Sequence, residues 1–330
     1  MSNNTEMKSA LVMGAGGFIG SHLVKFLKKN NYWVRGVDIK HTEYDKTAAD
    51  EFIIADLSTE AGMNQALNRD FDRVYQLAAD MGGAGYIFTG ENDAMVMQNS
   101  SLINLQCLRA VREHNVGLLF YSSSACVYPE HNQLNPEDPN TAEHTVYPAD
   151  PDSEYGWEKL YAERLYLANS RNFEQATRIA RFHNIFGPLG SWNNGKEKVP
   201  AALCRKVAES ENGGSIEVWG DGLQTRSFLH IDECLEAVER LMVSDVTDPI
   251  NIGSAELISI NNLANLVIEI SGKELSIVNK PGPEGVRGRY SDNNFIYEKL
   301  GWKPSEGLKQ GMMPTYEWVK SMVELNKMQK

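Results

Sequence analysis

Short apolar runs alternate with segments of helical character through the first half of the chain. Residues 11–13, 33–37, 52–55, 74–78, 118–122 and 177–182 read as strands. Between them, residues 21–29, 63–68, 95–114 and 154–170 read as helices. This strand–helix alternation predicts an α/β chain with a parallel sheet covered by helices on both faces. The second half is less regular. A loop rich in Gly, Pro, Trp and Lys runs over 187–200, with a helix expected at 201–209. Further strands are expected at 216–219, 227–230 and 249–252, and another turn-rich stretch at 281–289. A break near residue 185 divides a first domain, 1–185, from a smaller second one, 186–330. A segment near 223–255 is expected to return to the first domain.

Composition narrows the classes. The 330 residues suffice for a large core without covalent staples, and the hydrophobic fraction of 42% is that of a globular protein. The formal net charge of -12 argues against nucleic acid and anionic membranes as partners. A phosphate-bearing ligand then needs a local basic cluster. The four cysteines, Cys107, Cys126, Cys204 and Cys234, make neither a CxxC pair nor a metal pattern. No metal is expected. They read as free thiols in a reducing compartment. Residues 1–10 are polar, so no secretory signal is expected, and no run is long enough to span a bilayer. The expected location is the cytoplasm.

The first chemical motif is Gly14-Ala15-Gly16-Gly17-Phe18-Ile19-Gly20, a G-x-x-G-x-x-G pattern between the first strand and the first helix. Gly14 permits a tight turn, Gly17 lets a pyrophosphate approach the backbone, and Gly20 lets the helix pack on the sheet. The helix N-terminus then faces the phosphate charge. A glycine cluster alone also suits an ordinary strand–helix turn. The added signal is Asp38, at the end of the second strand. A carboxylate there bonds the ribose hydroxyls of NAD and repels the extra phosphate of NADP. Asp56 and Leu57 end the third strand and could meet the adenine; Ala78 ends the fourth, where a small residue leaves room.

The second motif is Tyr155-Gly156-Trp157-Glu158-Lys159, a Y-x-x-x-K pattern in a helical segment. Positions i and i+4 share a face. A lysine beside a tyrosine stabilises the phenolate and lowers the phenol pKa. Such a phenol takes a proton from a sugar hydroxyl as hydride leaves. Ser122-Ser123-Ser124 ends a strand, where α/β enzymes place ligands.

Glycine loop, serine run and Y-x-x-x-K, in this order, resemble the extended short-chain dehydrogenase/reductases. The resemblance implies a Rossmann doubly wound sheet with a smaller C-terminal α/β substrate-binding domain, bound NAD, and a nucleotide-sugar substrate. It selects Ser124 of the three serines, by alignment on Val127-Tyr128. Where dehydratases of this family carry an acidic pair before Val-Tyr, and 4-epimerases a threonine, this chain has Cys126. A thiol there serves as an acid or base, or merely as a small residue at a strand end.

Three segments sharpen the comparison: Met81-Gly82-Gly83-Ala84-Gly85, Arg181 to Pro188, and Gly195-Lys196-Glu197-Lys198. With 219–228 and 281–289, the set resembles epimerases of GDP-sugars within that family. The resemblance implies C4 oxidation, inversion at C3 and C5 by a cysteine and a lysine matching Cys126 and Lys198, and return of the hydride. It implies substrate contacts at Gly83, Asn184, Glu197 and Gln224; Arg289, Lys206 and Arg287 are candidates for the phosphates, since arginine suits bidentate contacts. It also implies a homodimer through a helix bundle, which 95–114 and 154–170 would supply. The competing readings are a UDP-sugar 4-epimerase and an inactive NAD-binding regulatory protein. Cys126 and the Gly-Lys-Glu-Lys loop argue against the first, and intact Tyr155 and Lys159 against the second.

Overall fold

A computed structural model of the chain describes residues 7–282 and 285–329. Pro283 and Glu284 of the turn-rich stretch, and residues 1–6 of the polar start, lie outside the described residues.

The centre is a seven-stranded sheet. Six strands are β1 (Ser9–Met13), β2 (Trp33–Asp38), β3 (Glu51–Ile54), β4 (Phe71–Gln76), β5 (Val116–Ser124) and β6 (Thr177–Phe182). The seventh is Ile250–Ile252. The spatial order is β3-β2-β1-β4-β5-β6 and then Ile250–Ile252. Every pairing is parallel. Parallel strands need crossovers, and helices supply them, so both faces are covered. That is why β1 reads as an unbroken apolar run: Ala10, Leu11, Val12 and Met13 are all fully buried. The order reverses between β1 and β4, which opens a crevice at their C-terminal ends.

One face carries α1 (Phe18–Lys29), whose Gly20, Leu23, Val24 and Leu27 form a single buried stripe. The helix Ile231–Met242 shares that core. After α2 (Glu60–Ala66) and the short α3 (Ala84–Ile87), the other face is covered by α4 (Asp93–Glu113) and α5 (Glu154–Phe173).

A further core lies beyond β6. There α6 (Val199–Glu209) packs with helices Ile260–Ser271 and Leu308–Met328 around Trp192, Val218 and Phe228. The helix expected at 201–209 is α6, whereas helices Ile231–Met242, Ile260–Ser271 and Leu308–Met328 and the strand Ser276–Lys280 lie where the pattern alone predicts irregular chain. The single strand expected over 227–230 is two short ones. Thr225–Arg226 pairs with Ile258–Ser259 and Gly288–Arg289, whereas Leu229–His230 pairs with Ile185–Phe186. Two partners in different directions cannot be met by one straight strand. Among the described residues, no helix is long and apolar enough to cross a membrane, and no cluster of His, Cys, Asp or Glu could hold a metal ion.

Candidate active site

The crevice beside β1 is built for a dinucleotide. Gly14 has φ +85, and a Cβ on Gly20 would lie 2.0 Å from the Gly14 carbonyl oxygen. Only glycine at both positions lets α1 start so close to β1. The cap residue Gly17 offers no side chain to the helix N-terminus, and the first turn has no acidic residue. Its amides therefore suit an anionic ligand. Phe18 and Ser21 line the same cavity as Gly16 and Gly17. Ile19 packs against the core beneath.

Asp38 ends β2 at this cavity. Its Oδ2 accepts from the Gly16 amide at 2.9 Å and its Oδ1 from the Lys40 amide at 3.2 Å. Burial raises its pKa and these amides pull it back. Ala78 stands two residues past β4, and a Cβ on Gly14 would come within 2.9 Å of its amide nitrogen. Asp56 instead accepts from the amide and hydroxyl of Ser58, shaping the turn into α2, and Leu57 is core. Neither lines this cavity or the one described next.

A second cavity, of about 450 Å³, is lined by Gly83, Ser124, Cys126, Tyr155, Asn184, Glu197, Lys198, Lys206, Gln224 and Arg289. Segments far apart in the chain thus meet here. Ser153 caps α5 by accepting from the Gly156 amide at 3.2 Å, which fixes Tyr155 in the first turn. The Ser124 hydroxyl accepts from the Cys126 amide at 3.2 Å and lines the same cavity as the Tyr155 phenol, whose pKa it lowers. Ser122 and Ser123 face elsewhere: the Ser122 carbonyl accepts from Lys159 Nζ at 3.0 Å, and the Ser123 hydroxyl donates to Glu163 at 2.5 Å.

The expectation that Lys159 lowers the phenol pKa needs correction. Lys159 Nζ lies 5.7 Å from the Tyr155 ring centroid. Burial pushes the phenol above its ordinary value, Cys126 adds to this, and Ser124 pulls only partly back. The ammonium is itself buried and pulled below its ordinary value, against Glu158 and Glu163. Desolvation outweighs the lysine here because its bond is directed at a carbonyl rather than at the phenol.

Lys198 is the N-cap residue of α6. It is exposed within the open cavity, and the protein surrounding that cavity lowers its pKa by desolvation. The loop before it is braced. Glu197 accepts from Arg205 at 3.1 Å and from the Gly195 amide at 2.7 Å. The Lys196 carbonyl accepts from the Gly83 amide at 3.1 Å, and its ammonium sits 4.0 Å from the Tyr86 ring centroid. Glu197, expected to touch substrate, therefore also holds the loop, and Lys196 is an exposed loop lysine whose ammonium lies over the Tyr86 ring.

The remaining residues differ in what they hold. Asn184 adopts φ 45 and donates to the Ser227 carbonyl at 2.9 Å. Gln224 donates to the Trp219 carbonyl at 3.2 Å and leaves its buried Oε1 without a partner. Lys206 donates to the Glu217 carbonyl at 2.7 Å. Arg289, expected at the phosphates, donates to Cys126 Sγ at 3.1 Å and to Asp152 at 2.9 Å. Burial disfavours its charge, but Asp152 and Cys126 raise its pKa above the ordinary value. Arg287 is paired with Asp221 at 3.0 Å and does not line the cavity. Sequence reasoning missed Arg226, which does line it and whose pKa burial, then Arg289, lowers to about 9. No strand periodicity could have found it, because its strand, Thr225–Arg226, is two residues long.

The sequence profile of the NAD dependent epimerase/dehydratase family matches residues 10–253. GDP-mannose 3,5-epimerase of Arabidopsis thaliana is 45% identical over 320 residues, covering 96% of this chain and 83% of that one. GDP-mannose 3,5-epimerase 1 of Oryza sativa subsp. japonica gives the same identity and coverage. The solved structure of UDP-glucose 4-epimerase from Thermotoga maritima, with UDP-glucose, matches with a TM-score of 0.84 and 26% identity, covering 96% of this chain and 99% of that one.

Proposed function

The chain belongs to the NAD dependent epimerase/dehydratase family, and from that premise we propose that it epimerises GDP-mannose at C3 and C5, yielding GDP-L-galactose and GDP-L-gulose. The observation that carries this reading is that Cys126 and Lys198 share one cavity with Tyr155 and Ser124. A 4-epimerase needs only the second pair. The similarity to the Arabidopsis enzyme supports the same substrate.

Bound NAD supplies the hydride acceptor and donor for C4. The uncapped amides of α1 would hold its pyrophosphate and Asp38 its adenosine ribose. Tyr155 takes the proton of the C4 hydroxyl as phenolate, the form that burial opposes and that the positive charge of bound NAD would favour, with Ser124 steadying both oxygens. Lys159 fixes the end of β5 through Ser122. The resulting ketone acidifies the hydrogens on C3 and C5. Cys126 and Lys198 then form the acid–base pair: one removes a proton from carbon while the other supplies one on the opposite face. Asn184, Gln224, Lys206 and Arg226 are the substrate contacts. Residues 1–185 hold the cofactor and 186–330 the nucleotide sugar, the segment near 223–255 returning to the first part. We place the enzyme in the cytoplasm, consistent with its free thiols. The exposed Met95 and Leu105 of α4 and Trp157 and Tyr161 of α5 support a homodimer through these helices.

Cys126→Ser and Lys198→Ala in deuterated water test the reading. Each variant keeps C4 oxidation, and epimerisation falls by about 10²–10⁴-fold. Epimerisation by both at near the parent rate would return the enzyme to C4 chemistry.

A further inference from the structure

Three of the four cysteines are buried in the cores, and Cys126 alone reaches the cavity. Its sulfur accepts from Arg289 Nη1 at 3.1 Å. The same guanidinium donates through Nη2 to Asp152 at 2.9 Å and through Nε to Gln133. Arg289 is only 5% exposed, and so is the Asp152 side chain. The three anchors come from different places in the chain. Gln133 follows β5, Asp152 precedes the cap of α5, and Arg289 lies on the strand paired with Thr225–Arg226.

A guanidinium is planar and presents its donors in a fixed fork. Two anchors therefore fix the aim of the third nitrogen, and that aim is the sulfur. A neutral thiol is a weak acceptor. A cation held against it selects the thiolate, which is the form that acts as a base. Asp152 balances the buried arginine and so offsets part of the cost of burying its charge. Arg226 adds a second positive charge toward the same sulfur.

We propose that Arg289, clamped by Asp152 and Gln133, is the counter-cation that holds Cys126 as an aimed thiolate. Arg289 thereby acts at the reacting carbon rather than at the nucleotide phosphates. This deepens the acid–base role given to Cys126 above and rests on it, but the reactivity of the sulfur can be read without any substrate.

The experiment measures alkylation of Cys126 by iodoacetamide in the full chain at neutral pH, followed by mass spectrometry of its peptide. Cys107, Cys204 and Cys234 are buried and report unfolding if they react. Arg289→Lys keeps the charge and its pairing with Asp152 but loses the fork. The double variant Arg289→Met with Asp152→Asn removes both charges and leaves none buried alone. Alkylation should slow severalfold in the first and at least about tenfold in the second, as the thiolate loses its partner. The parent rate in either variant, with the other cysteines still protected, overturns the proposal. So does a raised KM for GDP-mannose with unchanged alkylation, the signature of a phosphate contact. Should the double variant expose its buried cysteines, Arg289→Lys decides. Failure of the parent to epimerise GDP-mannose would instead refute the substrate reading and leave the alkylation result standing.

Discussion

Gly83→Ala is a small change with a large expected effect. Lys198 stands at the end of an irregular loop, so its aim depends on what that loop leans against. The Gly83 amide donates to the Lys196 carbonyl at 3.1 Å. A Cβ on Gly83 would lie 2.5 Å from the Glu197 carbonyl oxygen, whereas ordinary contact starts at 3.4 Å. The obstructing atom is backbone, so no side chain can swing aside. The loops must part by about 0.9 Å, and Lys198 is the next residue along. A misplacement of about 1 Å costs about 10²-fold in rate. Tyr155, Ser124 and Asp38 stand on α5, β5 and β2, away from this contact. In stopped-flow absorbance, transient NADH formation with GDP-mannose should therefore stay near the parent level, while chromatography shows epimerisation falling about 10²-fold. Epimerisation at the parent rate would refute the reasoning. Equal loss of both signals would mean that the loop positions the sugar rather than the lysine.

Tyr155→Phe keeps the ring and removes the phenol; both transient NADH formation and epimerisation should vanish, and measurable NADH would release Tyr155 from its role. Asp38→Ala should weaken the preference for NAD over NADP in cofactor-release and rebinding assays, and an unchanged preference counts against the ribose contact. His183 is buried against Asn251, and burial lowers its pKa from 6.5 to about 3. The unfolded chain binds this proton below pH 6.5 and the folded chain refuses it until about pH 3, so stability is lost as pH falls through that window. His183→Gln should flatten the decline of urea midpoints between about pH 6 and 4, by up to about 1.4 kcal/mol per pH unit; parallel curves for parent and variant would exclude it.

The sheet was legible because a parallel strand is buried on both faces. The apolar runs in β1, β4, β5 and β6 could not be surface, and the helices between them had to be crossovers. The second half resisted because its strands are two residues long and pair with distant segments, as Thr225–Arg226 does with Gly288–Arg289. No periodicity survives in two residues. The helix Ile260–Ser271 was readable in principle: Leu263, Ala264, Val267 and Ile268 form a buried stripe at helical spacing. In the site, the Y-x-x-x-K motif pointed to Tyr155 and Lys159, and the family resemblance to Ser124, Cys126 and Lys198; all but Lys159 line one cavity. Partners were not legible. That Arg289 faces sulfur, or that Asp152 and Gln133 aim it, depends on tertiary contacts between segments more than 130 positions apart.

The same distinction resolves the charge of the protein. A net charge of -12 would repel a nucleoside diphosphate sugar at long range. Screening confines that repulsion to about 8–10 Å in physiological salt, so a ligand in the cavity responds to its walls. Among the described residues, those walls carry Lys198, Arg205, Lys206, Arg226 and Arg289 against Glu197 and Glu217. Arg205 is tied to Glu197 at 3.1 Å. Arg289 is engaged by Asp152 and Cys126. Arg226, Lys206 and Lys198 line the same cavity, so its wall is locally basic. Burial, and after it the neighbouring Arg289, lowers the pKa of Arg226 to about 9. The cavity wall is thus basic where the sequence-wide charge count has the opposite sign.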